Sequence, residues 1–234
     1  MSERGEEVAA RLAEVRGRIA RACGTVGRDP DEVTLVVVTK YFPAADVRIL
    51  ADLGVRDVGE NRHQEASEKA AECADLGLAW HFIGGLQSNK AAAVAGYCDV
   101  VESVDRVKLV NGLQRGAHER SHPLDVLLQV SLDPPEQAEN RSGVEPADLE
   151  PLARAVEDAG MLRLRGLMAV APLDHDPAEA FDRLAAIHRD LLAVHPGADL
   201  LSAGMSGDLE AAVERGATHV RVGSAVLGSR PRVK

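Results

Sequence analysis

Within the segment "VTLVVVTKY" (33–41), Lys40 stands at the end of an almost unbroken apolar run. A lysine in such a place can lay its stem along apolar surface and keep its head in water. Where the head is partly desolvated the neutral amine is favoured, and that species attacks a carbonyl to form a Schiff base. A second chemistry is written far away in the chain, in "SAGMSGD" (202–208) and "RVGSA" (221–225). Gly204 with Ser206, and Gly223 with Ser224, precede helical patterns, and glycine lets the N–H groups of a helix start approach an anion. Ser206 also reads as the N-cap of the helix that follows. Asp208 and Glu210 suit that helix's dipole but would repel a phosphate, so they are expected to face outward. An amine and an anion cradle together suit a phosphorylated aldehyde. Arg221, two residues before Gly223, is expected to point into the same place because side chains alternate along a strand. An arginine beside a pyridine nitrogen would keep it unprotonated and weaken its use as an electron sink.

Residues so far apart need a scaffold that gathers them. Strand candidates fall at 33–40, 55–59, 79–83, 98–103, 124–131, 162–170, 199–203 and 218–222, with helical patterns between them, several stopping at a glycine (Gly54, Gly77, Gly160, Gly216). Eight βα units in 234 residues predict an α/β fold, a (β/α)8 TIM-type barrel, in preference to an open doubly wound sheet. The chain is expected to form a single domain over 1–234, with the barrel at 33–228 and an extra amphipathic helix over 1–24. That helix is expected to cover the gap left by the short tail after the eighth strand. Sites of such barrels lie at the C-terminal mouth of the strands, where Lys40, Glu60, Asn61, His81, Gly84, Ser103 and Met168 fall. The loop "DPPEQAENRSGVEP" after the fifth strand has little apolar surface and is expected to be mobile.

Composition removes other classes. Lys+Arg 27 against Asp+Glu 37 gives a net charge of −10, which opposes a nucleic-acid footprint. No run of about 18 apolar residues and no signal peptide is found, so a cytoplasmic protein away from membranes is expected. Cys23, Cys73 and Cys98 are far apart and match no disulfide framework or zinc pattern; they read as buried small hydrophobes. The histidines show no ligand spacing, so no metal is expected.

At the same residues the chain resembles the pyridoxal phosphate homeostasis proteins, whose barrel is similar to the N-terminal domain of alanine racemase. The matching stretches are "VVVTK" with Lys40, "VGENRHQE" (58–65), "WHFIGGLQSNK" (80–90), "SVDR" (103–106), "GLMAVAP" (166–172) and "GMSGDLEAAVERGATHVRVGSAVLG" (204–228). The resemblance implies pyridoxal 5'-phosphate (PLP) as cofactor, with Lys40 forming the Schiff base and Ser206, Gly223 and Ser224 binding the phosphate. It further implies Arg221 at the ring nitrogen, with Asn61 and Met205 near the ring. His81 is carried as a further binding candidate. Three places depart from the family pattern: "TKYFPAAD" after the lysine, Gly85, and the segment 137–144.

The resemblance implies a non-catalytic protein that binds PLP reversibly in vitamin B6 homeostasis, with PLP-dependent apo-enzymes as possible recipients. A single-domain amino-acid racemase is the first alternative and a Schiff-base aldolase acting on a sugar phosphate the second. A racemase needs acid/base groups on both faces of the substrate carbon. Tyr41, next to Lys40, is expected on the opposite side of the strand if the strand continues that far. His81 could replace it, but between Trp80 and Phe82 it suits hydrogen bonding to its neighbours equally well. Nothing in the sequence demands an oligomer, so a monomer is expected. "LQSNK", with Lys90 at a helix start, is a candidate second ligand site, weighed against a solvated lysine.

Overall fold

The computed structural model describes residues 2–133, 143–173 and 175–229. Residues 134–142 of the loop expected to be mobile, and with them most of the departing segment at 137–144, lie outside the described residues.

Helix α1 (Glu3–Val26) forms because Val8, Leu12, Val15, Ile19, Ala22 and Cys23 recur at helical spacing, and all are buried. Ser2 caps it by accepting from the N–H of Gly5 at 3.1 Å, and Gly27 ends it at φ 69°. Burying a side chain such as Leu12 is worth about 2 kcal/mol, so the helix is held by packing more than by propensity.

Eight strands follow: β1 (Thr34–Val38), β2 (Asp57–Glu60), β3 (Ala79–Phe82), β4 (Val100–Val104), β5 (Leu124–Gln129), β6 (Leu162–Met168), β7 (Leu200–Ser202) and β8 (His219–Val222). All pair in parallel with their sequence neighbours, and β1 closes the barrel on β8 in the register Thr34↔His219 to Val37↔Val222. Helices α2 (Ala44–Asp52), α3 (His63–Glu72), α4 (Ala91–Ala95), α5 (Val107–Gly116), α6 (Leu149–Glu157), α7 (Pro177–Val194), α8 (Leu209–Glu214) and α9 (Ser224–Leu227) occupy the crossovers and the end of the described chain. The fold is a (β/α)8 barrel. Helix α1 packs on α8 and α9, where Arg18 grips Glu210 at 2.6 and 2.7 Å and Arg4 donates to the carbonyl of Leu227 at 3.0 Å.

The strands are shorter than their patterns, and one difference matters for the site: β1 stops at Val38, two residues before Lys40. Gly54, Gly77 and Gly216 take the left-handed conformation expected of helix ends, whereas Gly160, beyond the end of α6 at Glu157, does not. The three cysteines are buried and unpaired. Among the described residues no helix is long and apolar enough to cross a membrane.

Candidate functional site

A cavity of about 390 Å³ opens at the C-terminal mouth of the barrel, within the size range of small-ligand sites. Lys40, Asn61, Met205, Ser206, Arg221, Gly223 and Ser224 line it together with Tyr41, Val38, Ile83 and Val170. Seven candidates drawn from four strand ends thus meet in one place. His81 is not among them.

Lys40 reaches the cavity from a turn rather than from a strand. The N–H of Phe42 donates to the Thr39 carbonyl at 3.0 Å, and Tyr41 takes φ 71°. That left-handed residue breaks the strand alternation, so Tyr41 lines the same cavity as Lys40 instead of pointing away from it. The guanidinium of Arg62 lies over the Tyr41 ring, 5.1 Å from its centre.

Two glycine-serine loops meet at the mouth. The Ser224 hydroxyl donates to that of Ser206 at 3.4 Å, joining the loop after β7 to the start of α9. Ser206 does not cap α8; Asp208 occupies the cap position, and its side chain accepts from the N–H of Met205 at 2.5 Å. Asp208 is therefore folded back into its own loop rather than turned outward, while Glu210 faces Arg18 as expected. Gly204 permits the loop: it sits at φ 92°, and a Cβ there would come within 2.7 Å of Ala212.

Asn61 is pressed against the loop after β3. A Cβ on Gly84 would lie 2.3 Å from the Asn61 carbonyl, so glycine is required there. The Asn61 Oδ1 is buried without a partner in the protein, an acceptor left for a bound molecule or water.

Arg221 enters the cavity from β8 and is 4% exposed. Its Nη1 donates to Ser202 Oγ at 2.7 Å and its Nη2 to the Ala169 carbonyl at 2.8 Å. Ser202 donates to Glu102 Oε2 at 2.5 Å, and Glu102 Oε1 lies 2.7 Å from His81 Nδ1, whose other nitrogen is 3.1 Å from Asp57. This chain of polar groups runs along the barrel interior. Burial alone would lower the His81 pKa, yet Asp57 and Glu102 on either side raise it to about 9. Burial would raise Glu102, but His81 and Arg221 hold it at about 2. Burial pulls the Arg221 guanidinium below its ordinary value, opposed by Glu102. His81 is thus an interior residue that supports Arg221 through Glu102 and Ser202. It reads as a cofactor contact only from its place at a strand end, and its strand turns it into the barrel interior instead.

Two networks escaped the sequence reading. Glu102, with valines before it in "VVESV", carried a signal: a carboxylate inside an apolar strand must be paired. Lys69 and Glu65, four apart in α3, look like an ordinary surface pair but meet Glu60 inside the protein. Burial raises the Glu60 carboxyl, and the Lys69 ammonium opposes that rise. Lys90 is exposed beside a second cleft, of about 530 Å³, which shares Asn61 with the first. Among the described residues no group of His, Cys, Asp and Glu is disposed to hold a metal.

A closed barrel whose mouth holds a lysine, a serine-glycine cradle and a buried arginine defines a class. The family model described as alanine racemase, N-terminal domain, matches residues 12–231. The chain is 43% identical, over an alignment of 244 positions, to the pyridoxal phosphate homeostasis protein of Mycobacterium tuberculosis, covering 97% of this chain and 95% of that one. It is 45% identical to the protein of that name from Pseudomonas aeruginosa, covering 95% and 96%. The structure of PipY from Synechococcus elongatus with PLP bound superposes with a TM-score of 0.81 at 36% identity, over 94% of this chain and all of that one. The chain belongs to the pyridoxal phosphate homeostasis protein family, within the alanine racemase N-terminal class.

Proposed function

We propose that this protein binds PLP reversibly, without catalysing turnover, and serves intracellular vitamin B6 homeostasis. The observation that carries the reading is the convergence of Lys40, the Ser206–Ser224 cradle and Arg221 in one cavity. The residues fit the group: the hydroxyl pair suits its phosphate, and the unpartnered Asn61 Oδ1 is an acceptor at the cavity wall. Bound there, PLP supplies an aldehyde that condenses reversibly with amines. Lys40 would hold it through that aldehyde; Ser206, Ser224 and Gly223 would hold its phosphate; Asn61 and Met205 would line the space for its ring. Arg221, a donor that keeps its own protons, would hydrogen-bond the lone pair of the ring nitrogen and so leave that nitrogen unprotonated. His81 acts through Arg221 rather than on the cofactor.

The relatives named above are called homeostasis proteins, and PipY is described with PLP bound, which supports the assignment. We further place the protein in the cytoplasm, as a monomer and a single unit over 1–234, with PLP-dependent apo-enzymes as recipients. The visible spectrum of purified protein tests the reading. A band from the lysine-linked cofactor, lost in Lys40→Ala, is expected; protein that stays colourless after incubation with PLP overturns it. One observation favours the racemase alternative: Tyr41 shares the cavity with Lys40.

A further inference from the structure

The backbone is gripped on both sides of Lys40. Before it, the Thr39 carbonyl accepts from Lys69 Nζ at 2.7 Å; after it, the Tyr41 N–H donates to Glu65 Oε1 at 2.5 Å. Lys69 also contacts Glu60 Oε1 at 2.6 Å and Glu65 Oε1 at 2.7 Å, so its ammonium has three acceptors for three N–H bonds. Thr39 Oγ1 closes the set by donating to Glu60 Oε1 at 2.6 Å. Tyr41 is the one non-glycine residue with positive φ among those described, a conformation that costs about 1 kcal/mol or more and persists only when its surroundings enforce it.

Lys69 is 7% exposed and Glu60 1%. Taking an ammonium and a carboxylate out of water gives back little net stability compared with apolar packing of the same volume. The cluster therefore earns its place through geometry: every bond it makes to the backbone falls on a neighbour of residue 40.

We propose that Glu65 and Lys69 of α3 are positioning residues for Lys40, holding the Thr39–Tyr41 turn in the backbone form that delivers the amine to the cavity. This rests on the reading of Lys40 as the attachment point. Glu65 fixes Tyr41 directly, and Lys69 fixes Glu65, Glu60 and Thr39 to one another. Releasing the Thr39 carbonyl and the Tyr41 N–H would free the backbone on both sides of residue 40, so that the direction of the amine would no longer be fixed toward the cradle.

The test compares wild type, Glu65→Ala, Glu65→Gln and Tyr41→Gly, alone and combined, by PLP titration and by borohydride reduction followed by peptide mapping. Wild type is expected to be trapped at Lys40. Glu65→Ala is expected to bind PLP at least tenfold more weakly, with the unfolding midpoint of the cofactor-free protein within a few degrees of wild type. Glu65→Gln, which restores an acceptor for the Tyr41 N–H, recovers most of that loss. Glycine at 41 takes the turn without strain, so Glu65→Ala costs less in the Tyr41→Gly background. If Glu65→Ala does not fold, Glu65→Asp, too short to span Tyr41 and Lys69 together, is judged by the same tenfold criterion. Wild-type affinity in the variants, or weaker binding that Gln does not rescue, overturns the positioning role. Absence of any adduct at Lys40 in wild type overturns the attachment reading itself.

Discussion

The Ser224 hydroxyl lies 3.4 Å from the Ser206 hydroxyl, so the loops after β7 and β8 present two oxygens to one point. A hydrogen bond to a charged group is worth about 1.5–3 kcal/mol, which predicts a loss of roughly ten- to hundredfold in PLP affinity for either serine-to-alanine change. The double variant should fall short of the product of the two losses, because residues in contact couple. Titration with pyridoxal, which lacks the phosphate, should show no such loss.

Arg221→Ala is expected to retain borohydride trapping at Lys40 while shifting the absorption of the bound cofactor or its affinity. The same change leaves Glu102 and Ser202 short of a partner inside the barrel. Breaking a buried charged network from one side costs about 3–5 kcal/mol, so thermal unfolding should fall measurably as well. Loss of the adduct with the fold intact would contradict the assignment of Arg221 to the ring.

The stability of the barrel should depend on pH through His81. Its folded pKa, about 9, lies above its ordinary 6.5. The stabilisation is therefore complete below about 6.5 and lost as pH rises through about 9, a difference of roughly 3 kcal/mol at most. Glu102 works at the other limit: held at about 2 against 4.5, it stabilises above 4.5 and ceases to as pH falls toward 2. Denaturant unfolding between pH 6 and 10 should show the decline, and His81→Gln should flatten it. An unchanged slope in that variant would contradict the role of the imidazolium.

Tyr41 gives a direct contest between binder and racemase. A chiral assay of several L-amino acids with PLP-loaded protein is expected to show no racemisation above that of free PLP, in wild type and Tyr41→Phe alike. Racemisation by wild type that Tyr41→Phe abolishes would establish the phenol as the second base.

The barrel was legible because glycine-terminated helices alternate with apolar strand patterns, and the parallel closed sheet follows from that rhythm. The meeting of the two glycine-serine loops was legible because both follow strand ends, which a barrel gathers at one mouth. Tyr41 was not: alternation assumes that β1 continues, and nothing in "TKYF" announces a left-handed residue held from α3. His81 misled for a related reason. Its position at a strand end is visible in sequence, but Asp57, Glu102 and Ser202, which turn it into the interior chain, come from three other strands. Partners drawn from distant strands leave no local spacing to read.

Helix α1 docks against α8 and α9, and Arg4 reaches the carbonyl of Leu227 across 223 positions of sequence. Most of the seat of α1 is therefore built by helices far along the sequence, although Arg4 also pairs with Asp46 of α2. Its apolar stripe, from Val8 to Cys23, is covered in full only once α8 and α9 are in place. Contacts so distant in sequence make closing the ring slow beside the formation of its local helices.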